Sequence, residues 1–111
     1  MYNVYLIGSE FDGKTVFKIG FTRRKVEERI KELKTGNGST LYEVKSFHSK
    51  WGTKIEASLH KRYHLKKIDG EWFSLDDTDI VEFSEVCQKF HDNLELISKT
   101  NLYYLDKGKF F

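Results

Sequence analysis

Two runs rich in β-formers, Tyr2 to Gly8 (Tyr-Asn-Val-Tyr-Leu-Ile-Gly) and Thr15 to Gly20 (Thr-Val-Phe-Lys-Ile-Gly), stand on either side of an Asp12-Gly13 dipeptide. Val, Ile, Phe and Tyr suit a pleated, half-buried surface, and Asp-Gly supplies the positive φ that a tight reversal needs. The spacing therefore predicts an antiparallel hairpin with Ser9 to Lys14 as its loop. Tyr5 and Lys18 fall on neighbouring strands.

From Arg24 to Thr35 the apolar residues Val26, Ile30 and Leu33 recur at helical spacing, and Gly36 with Asn37 supplies a stop signal. Leu41 to His48 alternates loosely and suits a third strand. Gly52 and Thr53 open a second helical stretch to about Lys66, with Ile55 and Leu59 toward the core, and Asp69-Gly70 ends it. Glu71 to Leu75 is short and aromatic, a strand or extended segment. From Asp79 a long helix is expected, with Asp79 as N-cap and Glu82 completing a capping box. Its apolar residues Ile80, Phe83, Cys87, Phe90, Leu94 and Ile97 form a narrow seam that packs on the sheet or, as the other reading, pairs with a second copy as a homodimer. The tail carries Leu102 to Leu105 and Phe110-Phe111, apolar enough to dock.

A chain of 111 residues builds one core, and its 39% hydrophobic and 32% charged residues are those of a soluble globular protein. No apolar run is long enough to cross a membrane and no leader is evident, so a cytoplasmic location is expected. Cys87 is the only cysteine, which excludes an internal disulfide framework and a multi-cysteine zinc site. The net charge of +2 hides an asymmetry: residues 1–68 carry 15 Lys and Arg against 7 Asp and Glu, and residues 69–111 carry 4 against 10. A local excess of +8 attracts a polyanion, nucleic acid above all, unless the charges merely coat a solvated surface.

Three elements bear chemistry. Arg29 emerges at the edge of the stripe formed by Val26, Ile30 and Leu33, where a planar fork of donors matches two phosphate oxygens; alternatively its stem covers the apolar edge and its head meets water. Glu56 shares a helix face with His60 and Tyr63, so a carboxylate and an imidazole can hold a hard cation and move protons. Thr53 and Glu56 also fit a capping box, in which Glu56 only reaches back to the helix start. A zinc site from Glu56, His60 and His64 is disfavoured, because ligands on successive turns of one straight helix diverge too far for tetrahedral closure. Tyr5 and Lys18 on the hairpin are the third element.

In this order the elements resemble the GIY-YIG nuclease superfamily, in its short, phage-type branch. Asn3-Val4-Tyr5 stands at the first triad and Lys18-Ile19-Gly20 at the second, Arg29 at the helix arginine, Glu56 at the metal-binding glutamate, and Gly70-Glu71-Trp72-Phe73 resembles a terminal Gly-Glu-Trp-Phe signature. The resemblance implies an α+β sandwich with a small, three-stranded, mainly antiparallel sheet flanked by helices, its core over 1–76 and a C-terminal helix and tail over 77–111 packed on the same domain. It implies a metal-dependent DNA endonuclease in which Glu56 holds one Mg²⁺ or Mn²⁺, Tyr5 takes the proton of the attacking water, Arg29 and Lys18 neutralise the phosphate, and His60 assists. Lys14, Arg23, Arg24, Lys25, Lys61, Arg62, Lys66 and Lys67 are then the candidates for gripping the DNA backbone. Asn3 and Lys18 depart from the usual Gly and Tyr, and they motivate the alternative of a nuclease-derived DNA- or protein-binding factor that has lost turnover.

Overall fold

A computed structural model describes residues 1–34 and 40–100. The expected stop signal at Gly36-Asn37 and the apolar tail from Leu102 lie outside the described residues. The elements run β1 (Tyr2–Phe11), β2 (Lys14–Thr22), α1 (Val26–Lys34), β3 (Leu41–Ser49), α2 (Gly52–Arg62), a 3-10 turn (His64–Lys66), β4 (Lys67–Asp69), β5 (Trp72–Phe73) and α3 (Asp77–Thr100).

The hairpin forms with longer strands than expected. Asp12 and Gly13 alone make the turn, at φ 52° and 76°. Both central residues of a type I′ two-residue reversal need this left-handed region, which Asp and Gly adopt at little cost. Every residue from Asn3 to Phe11 on β1 has a partner on β2, with Tyr5 opposite Gly20 and Ile7 opposite Lys18.

The sheet corrects the expectation of three strands: it has five, in the order β3-β1-β2-β5-β4, with every neighbouring pair antiparallel. The class remains α+β. Gly70, at φ 54°, is the hinge of a second, miniature hairpin rather than only the end of a helix. Its strands are two and three residues long, too short for a period-2 pattern to show.

Alternation along the strands divides the core between the faces. Val4, Leu6, Phe17, Ile19 and Phe73 pack with Ile55 and Leu59 of α2 and with Phe83, Val86 and Cys87 of α3. On the other face Tyr5 and Ile7 pack with Val26 and Ile30 of α1 and with Leu41. Phe83 is wholly buried, so truncating it to Ala is expected to cost about 3–5 kcal/mol. Cys87 lies in the same cluster, where burial pushes its thiol up to about 12, so it is inert at neutral pH.

Two further expectations change. α2 ends at Arg62, and the residues expected to extend it to Lys66 form the 3-10 turn. α3 begins at Asp77, two residues early, because Asp76 and Asp79 make the capping box: Asp79 N–H donates to Asp76 Oδ1 at 2.9 Å and Asp76 N–H donates to Asp79 Oδ2 at 3.0 Å. Glu82 instead faces Arg62, 4.0 Å away. The seam of α3 is spent inside the chain, with Phe83 and Cys87 buried and Ile80, Phe90 and Leu94 packed against the core. Most of the face offered to a second copy is thus occupied by this chain's own core, and Ile97 alone of the seam is exposed.

Candidate metal centre and phosphate site

β5 is too short to accompany β2 to its end. Its last backbone contact is the Glu71 carbonyl, which accepts from Ile19 N–H at 3.1 Å. Beyond it side chains from both layers reach round the edge of β2 and converge.

From the α2 layer come Glu56 and His60. Ile55 and Leu59, both fully buried, seat the helix on the sheet. The next positions, 56 and 60, share the flank turned toward β2, being one turn apart. His60 Nε2 lies 2.9 Å from the Ile19 carbonyl and 3.3 Å from Glu56 Oε2. A carbonyl can only accept, so this nitrogen carries the proton and the tautomer is fixed. The His60 ring also meets Phe73 edge to face, with centroids 4.9 Å apart. Glu56 does not reach back to its helix start: the N-cap of α2 is Trp51 and no side chain caps it.

From the α1 layer come Tyr5 and Arg29. Tyr5 is buried directly over Gly20, and a Cβ there would stand 2.6 Å from the phenol Cζ. Only glycine leaves room for that phenol. Arg29 Nε donates to Tyr5 Oη across a long 3.5 Å, and its Nη1 reaches Glu32 at 3.4 Å. Lys18, nearly buried and opposite Ile7 on the α1 side of the sheet, lies 3.7 Å from Glu71 Oε2 and 5.5 Å from the Trp72 ring centre.

Glu56, His60 and Glu71 each bring a ligand atom within 4.8 Å of the others. Burial raises the Glu56 carboxyl above the usual glutamate range; the His60 and Lys18 charges pull it back and the Glu71 charge pushes it further. Burial likewise raises the Tyr5 phenol, which Arg29 lowers by hydrogen bond and charge while Glu71 and Glu56 raise it. A half-buried pair of repelling carboxylates suits a hard, oxygen-seeking cation, Mg²⁺ or Mn²⁺, whose remaining ligands are water and phosphate. With its Nε2 proton on Ile19, His60 is anchored beside Glu56 and that nitrogen has no free lone pair to offer a cation. His64 takes no part, its Nδ1 donating to the Lys61 carbonyl at 2.8 Å.

Glu71 is the site residue to which no chemical role is assigned from the sequence. Its position depends on the pairing of β5 with β2, 54 to 56 residues apart in the chain, and the sequence marks it only through the Asp69-Gly70 turn signal and the Gly70-Glu71-Trp72-Phe73 run. The expected backbone-gripping residues divide. Arg23, Arg24 and Lys25 lie together after β2, Arg24 bonded to Glu32 at 2.6 Å. Lys66 is committed to Asp76 and Asp79, and Arg62 to Glu82, so α3 offsets part of the basic excess. Lys61 and Lys67 are exposed nearby, whereas Lys14 stands at the hairpin tip, four residues along β2 from Lys18.

The arrangement defines a small α+β domain with an acidic notch at a sheet edge, flanked by a phenol and two cations. The sequence model of the T5orf172 domain matches residues 3–90, and the chain belongs to that family. This corrects the resemblance drawn from the sequence, since T5orf172 is a family distinct from GIY-YIG and no GIY-YIG model matches. Tripeptides such as Asn3-Val4-Tyr5 and Lys18-Ile19-Gly20, without the leading Gly and the second Tyr, are patterns that many β-hairpins satisfy. Membership is compatible with a DNA-related function. No curated protein and no solved structure matches the chain. No helix among the described residues is long and apolar enough to cross a membrane.

Proposed function

We propose that the chain is a divalent-cation-dependent endonuclease that hydrolyses phosphodiester bonds in DNA. The observation that carries this reading is the meeting of Glu56, on α2, and Glu71, ahead of β5, within ligand distance of each other and beside the Tyr5–Arg29 pair. Glu56 and Glu71 would hold the cation, and a cation bound there would supply Lewis-acid polarisation of a phosphate oxygen and stabilisation of the leaving oxygen. Arg29 and Lys18 supply positive charge to the phosphate as negative charge builds on it, a kind of stabilisation worth about 10²-fold or more per donor. In the free chain burial keeps the Tyr5 phenol protonated, and Arg29 is the neighbour that favours its ionised form. Tyr5 in that form takes a proton from water as the water oxygen bonds to phosphorus and the ester bond breaks. His60, anchored on the Ile19 carbonyl, lines the Glu56 side of the notch.

The test is plasmid nicking in Mg²⁺ with and without EDTA. Cleavage that stops with EDTA and is lost in Glu56→Gln supports the reading; cleavage unchanged in that variant removes the site. One observation favours a second reading, a DNA-binding factor without turnover: Lys18 already neutralises Glu71 at 3.7 Å. Salt-sensitive DNA binding with no cleavage in Mg²⁺, Mn²⁺ or Ca²⁺ is its signature.

A further inference from the structure

Phe21 follows Gly20 on β2, opposite Val4, and the residue is 40% exposed. One edge of the ring is fixed, since Tyr2 meets it at 81° with centroids 5.6 Å apart. Tyr2 is itself clamped by Arg23, whose guanidinium lies 5.0 Å over the ring and donates to its hydroxyl at 2.8 Å. Tyr2 also packs against Gly52, the first residue of α2, where an added Cβ would stand 2.9 Å from its Cγ.

The position of this aromatic pair matters. Phe21 lies two residues beyond Ile19, whose carbonyl His60 holds, so strand periodicity places both side chains on the α2 face about 7 Å apart along the strand. Gly52 is one helical turn before Glu56. The platform therefore borders the acidic notch, with Arg23, Arg24 and Lys25 following it in the chain. A braced, partly exposed aromatic ring with the Arg23 guanidinium beside it is suited to a flat heteroaromatic ring joined to a phosphate chain.

We infer that Phe21, braced by Tyr2 and Arg23, is a stacking platform for an unpaired nucleobase next to the scissile phosphate. This rests on the hydrolytic reading of the notch and adds a substrate class. A base within a duplex has both faces covered, so the strand at the site is single-stranded or locally unpaired.

The test is equilibrium binding by fluorescence anisotropy, in EDTA, of a deoxythymidine oligonucleotide and an equally long abasic deoxyribose-phosphate chain. The wild-type protein is expected to favour the base-bearing strand by about tenfold, within the range of one stacked base. Phe21→Leu is expected to lose that preference while keeping the salt dependence. In Phe21→Trp, which retains a ring, the new indole emission is expected to be quenched by the base-bearing strand and not by the abasic one. Equal affinities in the wild-type protein, a preference that survives Phe21→Leu, unquenched Phe21→Trp, or no binding of either strand each overturns the inference. None of these readings needs cation or turnover, so their failure is distinguishable from loss of cleavage in Glu56→Gln.

Discussion

Glu56 and Glu71, fifteen positions apart and on different elements, bring carboxylate oxygens within 4.8 Å of each other at the edge of β2. Two like charges at this distance repel, and in a partly buried site water screens them less than on an open surface. Lys18 and the helix-borne His60 offset part of the repulsion and leave the Glu56 carboxyl still raised. Such a site is less favourable folded than it would be with a positive charge between the carboxylates, which gives it a measurable signature.

Divalent cation is therefore expected to stabilise the protein. A site that binds only in the folded state raises the melting temperature with ligand concentration, by about 2.7 kcal/mol at a hundredfold excess over Kd. Thermal melts with 0 and 10-fold increasing steps of MgCl₂ or MnCl₂ should shift upward for the wild-type chain and stay flat for Glu56→Gln and Glu71→Gln. An equal shift in all three proteins places the cation elsewhere.

The pH dependence follows from the same carboxyl. With its folded pKa raised, Glu56 binds more proton folded than unfolded across the interval between the two values, so its contribution to stability falls as pH rises through that interval. Glu56→Gln removes this slope. Metal-free melts from pH 4 to 8 should show the variant gaining on the wild-type protein as pH rises; parallel curves would mean that the carboxyl is not strained.

Tyr5 and Gly20 form a matched pair. Gly20→Ala places a methyl against the phenol, and overpacking of this kind costs about 1–3 kcal/mol while moving the hydroxyl from Arg29. Tyr5→Phe removes only one long hydrogen bond and is expected to cost less than about 1 kcal/mol. Both variants should lose about 10²-fold or more in nicking rate, but only Gly20→Ala should also lower the melting temperature by several degrees. Full activity in Tyr5→Phe removes the phenol from the chemistry.

The first hairpin was legible because Asp12-Gly13 has one good conformational use and the runs on either side of it are rich in β-formers. The three helices were legible from apolar spacing. β4 and β5 were not, since strands of two and three residues carry no period and Gly70 reads equally as a helix stop. The site divided in the same way. Tyr5, Lys18, Arg29, Glu56 and His60 sit on elements whose local pattern places them, whereas Glu71 is placed by long-range pairing. The resemblance to GIY-YIG proteins failed for a related reason: its tripeptides report strand preference more than ancestry.

The start of α3 gives a stability test outside the acidic notch. Asp76 accepts from Asp79 N–H, and hydrogen bonding to that backbone group holds the Asp76 carboxyl below the usual range. A folded-state pKa below the unfolded one contributes stability above the unfolded value, lost as pH falls through the folded one. Asp76→Ala should lower the melting temperature at pH 7 and lose that effect in strong acid, while Glu82→Ala should change little at either pH. The opposite ranking would restore Glu82 as the capping partner.

His60 separates holding a carboxylate from binding a cation. Its Nε2 proton goes to the Ile19 carbonyl, so replacing the ring with Ala leaves that carbonyl without its partner and removes the contact with Phe73, at an expected cost of about 1–3 kcal/mol. Gln or Asn at this position can still present an amide N–H to the carbonyl. If His60 is a positioning residue, His60→Gln should keep the cation-induced melting shift and much of the nicking rate, and His60→Ala should weaken both while the pH profile of the residual cleavage keeps its shape. If instead the imidazole ligates the ion or carries the proton, Gln and Ala should be equally damaging and the acid limb of the profile should move. Comparing the two variants across pH, with melting temperatures alongside, decides between these roles.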